Sequence, residues 1–523
     1  MKLTSWEAWQ QWHRDGCYTI LPYIKKLELD FAEYGYVAAW TEAWQDASPY
    51  AFVLESGKVG RYTYLGLSPQ SVIYGTGDQA QCMDYIEDGD QAQPWRQLSG
   101  KPLDVVRAWM KPYVSPRVPG APKFSGGCVG FWGYDVIRTI ERLPQLARRD
   151  LTVPDYLFMR MDEVWVLDHK EQAVYCISHR QIEADWSEQQ LRACFERAAG
   201  HAESMADYWL TWFEGEQQRT AAEKERLQKL AFIESESLHI NIEELQGLSS
   251  PFAKDAFIAA VERIKAYIAA GDVFQVNLSQ RQSKPLSSPP AELYEWLRLF
   301  NPSPYMGFIT TPHFQLVSAS PELLVEQVNG RLATRPIAGT RRRGRTEEEE
   351  ALFVEELLSN EKEKAEHIML VDLERNDLGR VSAYGTVNVA ELMVIERYSH
   401  VMHLVSQIEG QLAEGKDNFD VIAATFPGGT ITGAPKIRTM EIIEELEPVC
   451  RGPYTGSLGW IDYNGDMDFN IIIRTMVVAD NQVHIQAGAG IVIDSDPVRE
   501  YYESLSKAKA LWKAIQYSET YHS

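Results

Sequence analysis

Cysteine is scarce in this chain: six occur in 523 residues, at Cys17, Cys82, Cys128, Cys176, Cys194 and Cys450, with no CxxC pair. That spacing excludes a disulfide framework and a thiolate zinc site, and it predicts reduced thiols in a cytoplasmic setting. Long apolar runs are missing too. None approaches the ~18 residues of a membrane span, and the opening MKLTSWEAWQQWHRDG has no apolar signal core. Positive charge is in deficit, since 51 Lys and Arg against 74 Asp and Glu give a formal net charge of −23. Such a balance argues against a nucleic-acid binder or a partner of anionic membranes. An anionic small substrate would need a local basic pocket or a metal ion. No internal repeat or low-complexity tract occurs.

What is present is an ordinary folded composition, 45% hydrophobic and 24% charged, in a chain too long for one small core. Two domains are expected: an amino-terminal one over residues 1–213 and a second over 251–517, joined by a polar linker at 214–250. EVWVLDHKEQAVYCISH reads as two strands around a turn. DAFIAAVERIKAYIAAGD has the helical period, with Gly271 as its stop. Strand-like FQLVSAS, NIIIRTMVVAD and QVHIQAGAGIVID interleave with helices and show no regular βαβ repeat. The expected fold class is α+β, with largely antiparallel sheets forming a sandwich-like core flanked by helices.

Several motifs carry chemistry. In NEKEKAEHIMLVDLERND, Glu363 and Glu366 are three apart, which puts both carboxylates on one helix face. Glu500 and Glu503 repeat the spacing in SDPVREYYESLSKAKALW, where Asp496 caps a helix, Pro497 opens it and Lys507 extends the stripe. The spacing is met by a solvated salt-bridged face, or by two helices converging on a hard divalent ion such as magnesium. FPGGTITGAPK resembles a phosphate loop until Ala434 stands where the lysine belongs, so the Walker pattern fails. Glycines in QAGAGIVID mark either a bulge or a close backbone approach. His400 and His403 lack the HExxH pattern and a third ligand, which argues against zinc. Cys128 in GGCVG has no partnering His-x-Glu downstream and reads as a buried strand cysteine, so this chain would not release its own ammonia from glutamine. Finally, RPIAGTRRRGR gathers arginines from Arg335 to Arg345. On charge alone, Arg341 to Arg345 read as surface residues.

AGDVFQVNLSQR, NPSPY, SASPELL, RPIAGTR, EKEKAEHIMLVDLERNDLGRVS, YSHVMHLVS, FPGGTITGAPKIRTMEIIEELEP, TGSLGW, IIIRT and AGAGIVIDSDPVREYYES together resemble the chorismate-using enzymes of the anthranilate synthase and aminodeoxychorismate synthase type. The resemblance runs in order over about residues 250–515, and VLES with GGCVGFWGYD extends it to the front part. It implies an enzyme that aminates chorismate, Mg2+-dependent, with ammonia from a separate glutaminase subunit. By the same resemblance Glu366 and Glu503 are the metal ligands, with Glu363 and Glu500 in support. Gly339, Thr340, Thr430, Tyr454, Arg474, Gly488, Ala489, Gly490 and Lys507 touch substrate. Glu322 protonates the departing C4 hydroxyl, and His403 is the catalytic-site histidine. Leu54, Glu55, Ser56, Pro302, Ser303 and Tyr305 match an amino-acid pocket that takes tryptophan in the family. The motif PIAGT has Ala338 where well-known aminodeoxychorismate synthases carry a lysine nucleophile, which points to the anthranilate branch. RPIAGT, VNLSQR, LERNDLGR and FPGGTITGAPK point to the aminodeoxychorismate branch, some Gram-positive members of which also carry the alanine. Amination at C4 is therefore expected, with anthranilate formation as the alternative and a catalytically silent amino-acid-binding protein as a third reading.

Overall fold

Strand Ala51–Glu55 of the front part lies beside strand Tyr305–Thr310 of the back part, with Leu54 opposite Gly307. This pairing sets the architecture. The computed structural model describes residues 1–28, 37, 39–57, 60–85, 93–213, 216–236, 239–397 and 401–521. One eleven-stranded sheet runs, in spatial order, through strands Ile20–Glu28, Ala173–Gln181, Glu163–Asp168, Tyr62–Gly66, Ala51–Glu55, Tyr305–Thr310, Phe314–Ser320, Thr475–Ala479, Gln482–Ile491, Gln275–Pro285 and Gly433–Ala434. The second, twelve-stranded, runs through Ile337–Arg342, Val401–Gln411, Arg331–Arg335, Leu323–Val328, Met467–Ile471, Ser457–Asp462, Gly127–Trp132, Tyr156–Met161, Ser71–Thr76, Gln79–Asp84 and Arg96–Ser99. Strand Asn388–Arg397 adds to it by pairing with Val401–Gln411. Every pairing between these strands is antiparallel.

The sheets face each other across a core that brings Phe52 and Leu54 against Phe131 and Leu157. Helices cover both outer faces, as the alternation of apolar positions demands. Lys254–Ala269, Pro290–Phe300 and Pro497–Tyr521 pack on the first sheet through Phe257, Leu293 and Leu511. Pro102–Met110, Glu361–Gly379 and Asn418–Thr425 pack on the second through Val106, Val371 and Ile422, while Lys436–Leu446 packs on the Gln275–Pro285 edge of the first through Ile442 and Ile443. The expected α+β sandwich with antiparallel sheets is what is found. Among the described residues, no helix is long and apolar enough to cross a membrane.

The expected boundary does not part the sheets. Both contain strands from 1–213 and from 251–517, since Gly127–Trp132 pairs with Ser457–Asp462 just as Ala51–Glu55 pairs with Tyr305–Thr310. Within 214–250 the chain forms helix Glu216–Ser235, whose Phe232 packs edge-on against Trp296 at 5.9 Å. Its polar composition is that of a helix with one face in water.

A charged knot fastens the front part to the back. Glu55 accepts from Arg298 Nη2 at 3.0 Å and from the Tyr294 hydroxyl at 2.6 Å, while Arg298 Nη1 also donates to Glu295 at 2.6 Å. The other Glu295 oxygen accepts the Trp40 backbone N–H at 2.7 Å. All three charged residues are buried. Removing the one cation leaves two carboxylates in a dry interior, a loss of about 3–5 kcal/mol. Arg298→Met, which changes the volume little, should therefore lower the free energy of unfolding by that margin, read as a lowered urea midpoint. An unchanged midpoint would show that the knot does not fasten the halves.

Candidate active site

The pocket is built where strand Gln482–Ile491 meets strand Gln275–Pro285. Their register is unbroken from Val276 opposite Ile491 to Pro285 opposite Gln482, so the glycines of AGAG form no bulge. They make room instead. A Cβ at Gly488 would sit 2.5 Å from Asn277 Oδ1 and 3.0 Å from the Tyr454 hydroxyl, and one at Gly490 would sit 2.4 Å from Gln275 Nε2. Gln275 Nε2 donates to Glu366 Oε1 at 3.0 Å. On the other side, Lys507 Nζ donates to the Gly488 carbonyl at 3.0 Å and pairs with Glu503 at 3.2 Å. Glu366 and Glu503, from two helices far apart in sequence, are thus tied through one intervening side chain each to neighbouring positions of this strand, Glu366 by Gln275 beside Gly490 and Glu503 by Lys507 at Gly488. Ala489, between those glycines, faces the apolar core.

Glu363 lies one turn before Glu366. Its Oε1 pairs with Arg341 Nη1 at 2.8 Å, and its Oε2 is buried without a hydrogen-bond partner. That free oxygen fills the space a side chain at Gly339 would need, 2.6 Å from the position of its Cβ, and Gly339 has φ +56°. Glycine is the residue that fits both demands. Glu500 stands one turn before Glu503, where its N–H bonds the Asp496 carbonyl at 3.0 Å in the first turn. Asp496 caps that turn as expected, accepting from Arg499 N–H at 2.8 Å.

Glu322 follows strand Phe314–Ser320 and is 5% exposed. Burial pushes its carboxyl up to about 7, against the Thr430 hydroxyl, the Ile337 N–H and the positive charges of Arg474 and Lys507, which pull the other way. Neither Glu322 Oε1 nor Thr430 Oγ1 has a hydrogen bond of normal geometry. Arg474 faces this carboxyl and has no salt bridge among the described residues; burial lowers its pKa. Its φ of +50° is a strained conformation for a long side chain, of the kind retained at functional positions. Tyr454 is buried alongside, its phenol pushed up by burial and so kept protonated as a donor.

His403 sits on strand Val401–Gln411, its Nδ1 3.0 Å from the Thr340 hydroxyl and 3.3 Å from the Gly339 carbonyl. A carbonyl only accepts, so Nδ1 carries the hydrogen and Nε2 the lone pair. Burial brings the imidazole down to about 4, leaving it neutral at physiological pH. His400 lies outside the described residues, and no group of three or more His, Cys, Asp or Glu able to hold a metal occurs among those described.

The arginine run is not a free surface. Arg341 pairs with Glu356 at 3.0 Å as well as Glu363, Arg342 with Glu349, and Arg343 with Glu350 at 2.8 Å. The anion these arginines meet is the chain's own helix Glu347–Ser359. FPGGTITGAPK forms a short 3-10 turn at Gly429–Ile431 and the Lys436–Leu446 helix, with Thr430 turned toward Glu322. Cys128 is fully buried in its strand and its thiol is pushed up by burial. Leu54, Glu55, Ser56 and Tyr305 line one cavity of about 740 Å³ between the sheets, whereas Pro302 and Ser303 do not line it. Glu55 spends its carboxylate on Arg298 and Tyr294. Sequence reasoning missed Gln275 and Asn277, whose roles follow only from strand pairing. It also missed Glu374, a buried glutamate in the LERND stretch.

The sequence profile of the family described as chorismate binding enzyme matches residues 50–513. Aminodeoxychorismate synthase component 1 of Bacillus subtilis is 46% identical over 467 residues, covering 89% of this chain and 92% of that protein. Anthranilate synthase component 1 of Thermus thermophilus is 42% identical over 487 residues, 91% and 94% of the two chains. Among solved structures, anthranilate synthase component I from Streptococcus pneumoniae TIGR4 superposes with a TM-score of 0.66 at 33% identity, covering 87% of this chain and 93% of that one. With this likeness spanning both sheets and the pocket between their ends, the chain belongs to the chorismate-binding enzyme family.

Proposed function

We propose that this chain binds chorismate and replaces its C4 hydroxyl with an amino group, using ammonia from a separate glutaminase to give 4-amino-4-deoxychorismate. The observation that carries this reading is Glu322, a buried carboxyl poised near neutrality opposite the unpaired Arg474. A hydroxyl leaves readily only as water, so a proton must reach it in the transition state, and Glu322 can deliver one at neutral pH. Arg474 and Tyr454 supply charge and a hydrogen bond for a substrate carboxylate, and the bare backbone at Gly488 and Gly490 lets the ring approach. His403, neutral with its lone pair on Nε2, is equipped to take up the proton that the attacking amine sheds. Cys128 supports the separate glutaminase, because a thiol raised by burial is no nucleophile.

Oxygen-only donors and the unpartnered Glu363 Oε2 suit a hard cation such as Mg2+, which commonly takes the rest of its coordination from water and substrate. Glu366 and Glu503 would hold it, with Glu363 and Glu500 behind them; bound there, it would set positive charge against a carboxylate of the substrate. Glu366→Gln and Glu503→Gln should each weaken Mg2+ binding about 10–100-fold in calorimetric titration with chorismate present. Full retention of affinity in both would remove them as ligands.

Ala338 favours a second reading, anthranilate formation, since its methyl on strand Ile337–Arg342 offers no nucleophile to ring carbon C2. Product chromatography separates the two. Chorismate with ammonium and Mg2+ should yield 4-aminobenzoate only after a lyase is added; fluorescent anthranilate appearing without lyase would decide for the second reading.

The acid role of Glu322 has a pH signature. With its carboxyl at about 7, the protonated fraction declines as pH rises through that value. At a fixed concentration of neutral ammonia, kcat should level off on the acid side and fall about tenfold per pH unit on the alkaline side. Glu322→Gln should lose about 10²–10⁴ in kcat. A rate flat across neutrality would assign the proton to another group.

A further inference from the structure

Behind Glu322 runs a row of buried oxygens in which two carboxyls lean on two hydroxyls, Glu322 on Thr430 and Glu374 on Thr334. Among the described residues Glu322 Oε1, Thr430 Oγ1, Thr334 Oγ1 and Glu374 Oε2 make no hydrogen bond of normal geometry. Glu322, Thr334 and Glu374 are 5%, 2% and 8% exposed. Leaving a buried polar atom unsatisfied costs on the order of 1–3 kcal/mol, so four without good geometry in one place need a reason. They come from four different elements: the segment after strand Phe314–Ser320, the turn Gly429–Ile431, strand Arg331–Arg335 and helix Glu361–Gly379. Direct packing brings them together. Leu373, next to Glu374, lies so close under the turn that a Cβ at Gly429 would be 2.2 Å from its Cδ2.

The charged groups acting on Glu374 are Glu322 on the pocket side, with Asp377 and Lys436 on the other. Lys436 Nζ bonds Asp377 Oδ2 at 2.5 Å and the Thr425 carbonyl at 3.3 Å, and its side chain is 13% exposed, in touch with solvent. No cation pairs directly with Glu374 among the described residues. Burial and the carboxylates of Glu322 and Asp377 raise its pKa well above the usual carboxylate range, against the Thr334 hydroxyl and Lys436, which favours its protonated form.

We propose that Glu374 is a relay residue that returns to Glu322 the proton spent in each turnover. This rests on the reading of Glu322 as the acid for the departing hydroxyl. When that hydroxyl has left as water, Glu322 is a carboxylate sealed from bulk solvent by the bound molecule. The O–H bond of Glu374 breaks and an O–H bond forms on Glu322, directly or through one water held by the Thr334 and Thr430 hydroxyls. The Glu374 carboxylate, itself 8% exposed, then takes a proton from solvent on the side where Asp377 and Lys436 stand. No oxidant or other reactant is needed.

A relay and a merely structural carboxyl differ in time. The first turnover uses the proton already on Glu322, so only later turnovers need Glu374. Rapid-quench measurements with chorismate, ammonium and Mg2+ should show Glu374→Gln forming one equivalent of product within about twofold of the unsubstituted rate, then continuing about tenfold or more slower. Thr334→Val, which removes one hydroxyl at nearly constant volume, should divide its turnovers in the same way if the glutamine variant folds poorly. Glu374→Asp should recover part of the steady-state rate. A steady state equal to the unsubstituted protein in both variants overturns the relay, as does a first turnover slowed as much as the later ones. An unsubstituted protein that leaves chorismate unchanged removes the reading beneath the relay, and the relay with it.

Discussion

Keeping a proton on a carboxyl group in neutral water requires that the water be taken away. Around Glu322 the two sheets do this together: the residue sits where strand Phe314–Ser320 of one leads into strand Leu323–Val328 of the other. The Arg474 guanidinium must stand close enough to hold an anion without drawing that proton off. Burial of Glu322 prevails over the positive charges beside it, and the balance rests near neutrality. Both residues need the sandwich intact. The Arg298 knot is therefore part of the chemistry at one remove, since it locks strand Ala51–Glu55 to the helix packed behind Tyr305–Thr310.

What could be read from the sequence was local. The helix Pro497–Tyr521 announces itself by the Asp496 cap and Pro497, and Lys254–Ala269 by its period and the stop at Gly271. The glutamate pairs were visible as spacing, because three residues on a helix is nearly one turn. What they touch was not visible. Gln275 spans 91 positions of sequence to Glu366, a contact set by the pairing of strands rather than by any periodicity. The glycines at 488 and 490 posed a question, bulge or close approach, that only an unbroken register could answer. The resemblance to a family suggested pocket residues in advance of any coordinates, but it offered no view of Glu374, a buried carboxyl beside Thr334 that only the fold reveals.

Two charged stretches kept their partners hidden in the sequence. Polar composition at 214–250 suggested a linker of helical character, and the arginines at 341–345 suggested surface residues, as Arg342 and Arg345 are. Charge alone did not say what they pack against. The first region is a helix with one apolar stripe buried through Phe232, and the second is a set of cations matched to the acidic first turn of helix Glu347–Ser359. An acidic protein spends many of its few positive charges holding its own glutamates, Lys507 with Glu503 among them, whereas Arg474 has no salt bridge among the described residues.

The crossing of both sheets by both parts of the chain has an evolutionary corollary. A protein whose halves each own a sheet can shuffle them, gaining or losing a sensor as a cassette. Here each half, taken alone, would expose raw strand edges along the whole height of the sandwich, inviting aggregation instead of independence. Change in such an architecture must come residue by residue at the pocket's rim. Lineages that diverge in product are then expected to keep one scaffold and differ in a handful of side chains.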